Sequence, residues 1–377
     1  MNCPEKNLEN VRIAVSCGGT GGHFYPGLSI AEVIKKEGGH VILLLSGVNA
    51  QQQKKIAESR GIDTIALPVM PHPKRPKNIL NFFRGYFNGR KIAANALKEH
   101  DINTVIGMGS FASLPPLFAA KKLKKSIYLH DGNARIGKAN RFLSRYAVKL
   151  WTAFDPVNAG KVKCPVSVIG MPLRPALTME KRYSKAEALA ELNSRFNTAF
   201  KADVPTLLIF GGSQGAQKIN LVLPEYLKTL ENGKCQIIHL AGPTKLEETR
   251  NAYNGCQIEH LLLESSSKMQ LMYGAADMVI SRSGGSSVAE IAFFGKAAIL
   301  IPYPFAAENH QYDNARFLEK HGGAIILDNA DCSQENFAKL IDELLFTPDK
   351  LTGMSEKSRS AHTHDSIYEI LEEINQQ

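Results

Sequence analysis

Several features are missing from this 377-residue sequence, and each absence removes a class of function. Its six cysteines (Cys3, Cys17, Cys164, Cys235, Cys256, Cys332) are scattered, with no C-x-x-C pair and no histidine at zinc-finger spacing. That pattern argues against a disulfide framework and structural zinc, and for a reducing cytosol. No apolar run approaches the roughly 20 residues a spanning helix needs, and the segment Met1–Asn10 has no apolar signal-peptide core. The chain is expected not to cross a membrane, which leaves it able to lie on one. No Asp-x-Asp pair occurs. Chemistry that relies on a divalent metal held by such a pair is therefore disfavoured, and backbone donors, helix ends and arginine are favoured for stabilising a departing diphosphate. Neither a full G-x-G-x-x-G fingerprint nor a P-loop is present, so neither a dinucleotide nor ATP is signalled. No nucleic-acid motif is found, and no metal and no cofactor is expected.

What is present is ordinary in bulk: 44% hydrophobic and 21% charged residues, enough for a sizeable core. The length suits two domains of roughly 100–200 residues. A formal net charge of +9 favours anionic partners, whether nucleic acid, acidic lipid or a phosphorylated substrate.

The chain reads as alternating strands and helices. Val11–Cys17 is a β-branched run that ends in Gly18-Gly-Thr-Gly-Gly-His23, and a helical pattern opens at Pro26. His40–Leu45 completes a βαβ unit, with further strands expected at 64–67, 104–106 and 126–129 and helices near 50–60, 79–97 and 112–124. The pattern breaks near Gly170–Pro175, and Pro205–Phe210 restarts it, again ending in a glycine loop, Gly211-Gly-Ser-Gln-Gly-Ala216. Strands are expected at 236–240, 258–263, 277–281, 297–301 and 324–327. The fold class is therefore α/β, with two doubly wound, Rossmann-like domains of parallel strands facing a central cleft. The expected domains are 1–172 and 173–354, with a C-terminal helix, 355–377, packing back on the first.

Three glycine-rich strand-to-helix turns carry the candidate chemistry. The third, Ser281-Arg-Ser-Gly-Gly-Ser-Ser-Val-Ala-Glu290, offers the first N–H groups of a helix to an anionic or hydroxyl-rich ligand. Glu290 either accepts hydrogen bonds from a vicinal diol such as a ribose or closes a capping box with Ser287. Each loop alone reads rather as a tight turn with no ligand; three together favour binding. His23 lies where a helix N-terminus disfavours the imidazolium, so it is a candidate base, the alternative being a hydrogen-bonded turn residue. Arg174 and Arg282 are candidate cations for a diphosphate, the alternative being solvated or structural arginines.

Four motifs, Gly18–His23, Gly211–Ala216, Arg282–Glu290 and Asn309-His-Gln-Tyr-Asp-Asn314, together resemble the MurG-type transferases. These are the UDP-N-acetylglucosamine:N-acetylmuramyl-(pentapeptide) pyrophosphoryl-undecaprenol N-acetylglucosamine transferases of peptidoglycan synthesis. The match runs in order over nearly the whole chain. The resemblance implies a GT-B fold, with a lipid-linked acceptor (lipid I) held mainly by the first domain and UDP-N-acetylglucosamine mainly by the second. It also implies inverting, metal-independent transfer to the muramyl 4-hydroxyl with His23 as base. By position, Thr20, Gly21 and Gly22 meet the donor's sugar end or the acceptor diphosphate. Arg174 and Ser213 meet the donor diphosphate and Glu290 its ribose. Gln311 meets the sugar hydroxyls, while Gly285, Ser286, Ser287, Val288 and Ala289 line the nucleotide, with His310 and Arg282 placed beside them. Asn133 matches the end of a family His-Glu-Gln-Asn motif that here reads His130-Asp-Gly-Asn133, and Ser266 falls near the residue beside the uracil. The alternative readings are an epimerase of UDP-N-acetylglucosamine or another UDP-sugar glycosyltransferase, both of this fold, and a non-catalytic nucleotide-sugar or nucleic-acid binding protein.

Between the third and fourth expected strands, Lys74-Arg-Pro-Lys77 precedes Ile79, Leu80, Phe82, Phe83, Arg84, Tyr86, Phe87, Arg90 and Lys91. This mixture at helical spacing suits an interfacial helix on an anionic leaflet, with Lys121, Lys122, Lys124 and Lys125 adding to the face. Periodicity alone favours a core helix with a solvated basic edge. With a lipid-linked acceptor, peripheral binding to the cytoplasmic face of the bacterial inner membrane is expected.

Overall fold

A computed structural model describes residues 11–69, 76–178, 182–212 and 215–376. The chain forms two compact units: residues up to Pro175 together with His364 onward, and Ala176–Thr363. The division therefore falls a few residues beyond the expected boundary, and residues 355–363 belong to the second unit. The reason is a helix break. Pro348–Ser360 is a helix of the second unit, and a separate helix, Ser366–Asn375, belongs to the first.

The first unit is a seven-stranded sheet of β1 (Arg12–Gly18), β2 (His40–Ser46), β3 (Asp63–Ala66), β4 (Thr104–Gly107), β5 (Ser126–Asp131), β6 (Lys149–Thr152) and β7 (Val166–Val168). The order is β3-β2-β1-β4-β5-β6-β7, and every pairing is parallel. Both faces are covered, as the near-continuous apolar strands require. Ile13, Val15, Leu43 and Leu45 enter one core, while Ala14, Ile42 and Leu44 enter the other, the two-residue period of a strand. The second unit repeats the plan with β8 (Thr206–Phe210), β9 (Gln236–Leu240), β10 (His260–Leu263), β11 (Met278–Ser281), β12 (Ala297–Leu300) and β13 (Ala324–Ile326). Its order is β10-β9-β8-β11-β12-β13, again all parallel. In each unit the strand order reverses beside the first strand, so each glycine loop emerges at a topological switch point, where open α/β sheets bind ligands.

Strands β6 and β7 are additions to the expected set. Lys149-Leu-Trp-Thr152 has no apolar run to mark it, yet Leu150, Trp151 and Thr152 are fully buried. Trp151 stacks on Tyr128 with centroids 4.7 Å apart, and its Nε1 donates to Glu373 Oε2 at 2.5 Å. Lys149 Nζ meets the same carboxylate at 2.8 Å. Glu373 belongs to the final helix, whose Ile367, Ile370 and Leu371 enter the first unit's core. Burying Ile370 and Leu371 stabilises that docking by about 1.5–3 kcal/mol each.

Candidate active site

In the first unit the loop after β1 is built around glycines at positive φ. Gly18 has φ +122°, and a Cβ there would lie 2.5 Å from the Ser46 carbonyl oxygen. Gly19 has φ +81°, and its carbonyl accepts from Asn49 Nδ2 at 3.0 Å and Gln53 Nε2 at 3.2 Å. Nothing in the sequence pattern singled out these two amides, because they contact the loop across some thirty residues of chain. Helix Gly21–Lys36 starts at once, with Thr20 as N-cap and its carbonyl accepting from the amides of His23 and Phe24. The amides of Gly21 and Gly22 thus stand where the helical ladder offers no acceptor. Gly18→Ala combines backbone strain with a clash, and is expected to destabilise the fold by about 3 kcal/mol or more in urea unfolding. A loss under about 1 kcal/mol would show that the loop relaxes at little cost.

His23 is seated by a long-range contact. Its Nδ1 donates to the Met108 carbonyl at 2.8 Å, and since a carbonyl only accepts, the proton is on Nδ1 and the lone pair on Nε2. Gly109, at φ +88°, leaves the space for it: a Cβ there would sit 3.4 Å from His23 Cε1 and 3.2 Å from Asn140 Nδ2.

The segment His130-Asp-Gly-Asn133 closes β5. His130 is buried, bonds the Gly170 carbonyl through Nε2 at 3.1 Å, and is held below the usual imidazole pKa chiefly by that burial. Asp131 turns inward, accepting from Gly137 N at 2.8 Å and Asn140 Nδ2 at 3.0 Å on one oxygen, and from Asn133 N at 3.2 Å on the other. It shapes the turn that carries Asn133. Gly132 has a steric reason too, since a Cβ would lie 2.9 Å from Met171 Cε. A side chain at position 132 would therefore need Met171 to move. Arg174 belongs to the first unit rather than the second, with its guanidinium 5.5 Å from the centroid of the Tyr25 ring on the first helix.

In the second unit the loop after β8 turns through Gly212 and Gly215, at φ +69° and +68°; Ser213 lies outside the described residues. The helix after β11 runs Gly285–Phe294 with Gly284 as N-cap. Glu290 is therefore six residues past the cap, too far to close a capping box with Ser287, and that alternative is excluded. A capping box is present instead at Ser184 and Glu187. Glu290 is half-buried, and its Oε2 accepts from the Tyr273 hydroxyl at 3.1 Å. Gly285, Ser286 and Ser287 occupy the helix start, and the buried Ser286 Oγ has no hydrogen-bond partner. The Val288 and Ala289 side chains are buried, and the Val288 amide is bonded to the Gly284 carbonyl at 3.0 Å.

Arg282 is bonded through both terminal guanidinium nitrogens, while its buried Nε has no hydrogen-bond partner. It is buried, donating from Nη1 to the Ile301 and Pro302 carbonyls at 3.1 Å each and from Nη2 to Asn329 Oδ1 at 2.8 Å. Burial lowers its pKa, and its role is to tie the ends of neighbouring strands. Gln311 Oε1 accepts from Tyr303 N at 2.9 Å, an arrangement that orients its amide so that Nε2 faces the opposite way. Its own carbonyl accepts from Ser283 Oγ at 2.8 Å. His310 Nδ1 bonds the Ala307 carbonyl at 2.9 Å, and Ser266 Oγ accepts from Lys268 N at 3.0 Å, a turn contact before helix Met269–Ala275. An open cavity of about 530 Å³ is lined by Pro302, Asn309, Tyr312 and Asp328–Asp331. Among the described residues no cluster of three or more His, Cys, Asp or Glu could hold a metal ion, and no helix is long and apolar enough to cross a membrane.

Residues 13–152 match the glycosyltransferase family 28 N-terminal domain and residues 206–370 its C-terminal domain. The UDP-N-acetylglucosamine--N-acetylmuramyl-(pentapeptide) pyrophosphoryl-undecaprenol N-acetylglucosamine transferase of Halothermothrix orenii is 31% identical over 364 residues, 93% of this chain and 94% of that protein. Among solved structures, MurG of Acinetobacter baumannii superposes with a TM-score of 0.76 at 25% identity, covering 97% of this chain and 99% of that one. The UDP-GlcNAc 2-epimerase of Neisseria meningitidis, bound to UDP-GlcNAc, shares the fold alone: TM-score 0.68, 12% identity, 97% and 100% coverage. The chain belongs to glycosyltransferase family 28, and within it to the UDP-N-acetylglucosamine--N-acetylmuramyl-(pentapeptide) pyrophosphoryl-undecaprenol N-acetylglucosamine transferases.

Proposed function

We propose that this protein transfers N-acetylglucosamine from UDP-N-acetylglucosamine to the 4-hydroxyl of undecaprenyl-pyrophosphoryl-N-acetylmuramyl-pentapeptide, completing the disaccharide lipid of peptidoglycan synthesis. The observation that carries the mechanism is the 2.8 Å bond from His23 Nδ1 to the Met108 carbonyl, which leaves Nε2 as the basic nitrogen. Nε2 takes the proton of the muramyl 4-hydroxyl as that oxygen bonds to the anomeric carbon. The bond from the anomeric carbon to UDP breaks in the same displacement, UDP leaves with the electron pair, and the configuration inverts.

The leaving diphosphate needs donors fixed in advance, since these cost no reorganisation as charge develops. The amides of Gly285, Ser286 and Ser287 at a helix start are of that kind, and the partnerless Ser286 Oγ is a hydroxyl whose partner would be the donor. Ser213 and Arg174 add to them, Glu290 accepts from the ribose, and Gln311 Nε2 donates to the sugar. Thr20, Gly21, Gly22 and Asn133 meet the acceptor. No divalent cation takes part.

Release of UDP from UDP-N-acetylglucosamine tests this directly. Release is expected only when detergent-solubilised lipid-linked muramyl pentapeptide is added, and it is expected to persist in EDTA. Conversion of the donor alone would mean an epimerase, and loss of turnover on chelation would overturn the metal-free displacement.

We also infer peripheral binding to the anionic cytoplasmic leaflet through helix Pro76–Glu99. Leu80, Phe83 and Phe87 are exposed on it, beside Arg84, Arg90 and Lys91. Phe82 is more sheltered than Phe83, and Lys74 and Arg75 lie outside the described residues.

A further inference from the structure

Tyr273 is fully buried in helix Met269–Ala275, and its surroundings clamp the ring on two sides. It stacks on Phe294 with centroids 4.7 Å apart and planes 12° from parallel, and it meets Phe210 edge-on at 6.1 Å. Phe210 ends β8, immediately before the Gly211–Ala216 loop, and Phe294 ends the helix that carries Glu290. A phenylalanine would fill the same slot and make the same ring contacts. What the tyrosine adds is one hydroxyl, 3.1 Å from Glu290 Oε2.

That hydroxyl answers a specific difficulty. The terminal torsion of a glutamate is broad and roughly two-fold, so packing alone does not aim its carboxylate. A carboxylate has about four acceptor sites, and one held by a phenol leaves room for the two bonds of a vicinal diol. We propose that Tyr273 is a positioning residue for the donor nucleotide: it fixes the Glu290 carboxylate in the orientation that accepts from the ribose hydroxyls. The clamp by Phe210 and Phe294 transmits the placement of two elements, the strand feeding the glycine loop and the ribose-binding helix, to a single oxygen. This inference rests on the assignment of Glu290 to the ribose.

The test is calorimetric binding of UDP and of 2′-deoxy-UDP to the full chain, in the native protein, Tyr273→Phe and Glu290→Gln. The native protein is expected to prefer UDP by roughly tenfold, the worth of a hydrogen bond to a charged group. Tyr273→Phe is expected to shrink that preference to within about twofold while leaving 2′-deoxy-UDP binding unchanged, and to raise KM for UDP-N-acetylglucosamine with little change in kcat. A preference that survives Tyr273→Phe intact but is lost in Glu290→Gln would overturn the positioning role and leave the ribose assignment standing. Equal weakening of both ligands by Tyr273→Phe would also overturn it, since that is the mark of a general packing defect. If the native protein shows no preference, the ribose assignment itself fails, and the inference with it. Adding Tyr273→Phe to Glu290→Gln is expected to cause no further loss; additive losses count against the coupling.

Discussion

His23→Gln is expected to lower kcat about a thousandfold while changing the affinity for UDP by less than about twofold, because a positioned base is worth roughly 10²–10⁴ in rate and takes no part in holding the nucleotide. Glutamine is the informative replacement. Its amide can still donate to the Met108 carbonyl that now fixes the imidazole at 2.8 Å, so the loop keeps its anchor. What it lacks is a nitrogen lone pair basic enough to take a proton from an attacking hydroxyl. The residual rate then measures what the helix-start amides and substrate positioning supply without a base. Steady-state kinetics with the lipid-linked acceptor, alongside calorimetric UDP binding, reads both quantities. Turnover near the native rate would remove His23 from the role of base, whatever its geometry.

Leu80→Ser/Phe83→Ser/Phe87→Ser is expected to reduce binding to vesicles of anionic phospholipid about a hundredfold. These side chains are 79%, 50% and 55% exposed on one helix, where a soluble protein ordinarily hides such residues. Full burial of each is worth about 1.5–3 kcal/mol, and partial insertion at an interface about half of that, so three together reach about 3 kcal/mol. Phe83 and Phe87 stack at 6.4 Å, Tyr86 lies edge-on to Phe118 at 6.1 Å, and the Arg90 guanidinium lies 5.7 Å from the Phe87 ring. The aromatic surface thus continues onto the next helix, Leu114–Lys122, and carries its own cations. Each cation near an anionic surface adds about 1 kcal/mol, screened by salt. Flotation with vesicles should therefore show native binding that falls as salt rises, and a triple variant that stays in solution with unchanged UDP affinity. A triple variant that floats as the native protein does would mean that this face does not meet lipid.

Features that rest on local pattern could be read from the residues alone. Apolar runs of four to seven residues, closed by glycine and followed by a 3.6-residue period, are strands, tight turns and helices whatever surrounds them, and their alternation requires parallel sheets. Both glycine loops, and a third strand-to-helix turn around Gly284 and Gly285, were legible for that reason, though not the residue at which that helix begins. Tertiary structure alone decided what each polar side chain does, because its partner comes from far along the chain. His23 owes its tautomer to a carbonyl 85 residues away, and Arg282 is drawn into strand-end carbonyls at Ile301 and Pro302. Glu290 was ambiguous between a cap and a ligand until the helix was found to begin at Gly285, and its aim depends on Tyr273, a residue no motif marks. Strand β6 was hidden because its stability comes from Tyr128 and Glu373 rather than from its own four residues. Periodicity is carried by neighbours in sequence, whereas hydrogen bonds and burial are settled by neighbours in space.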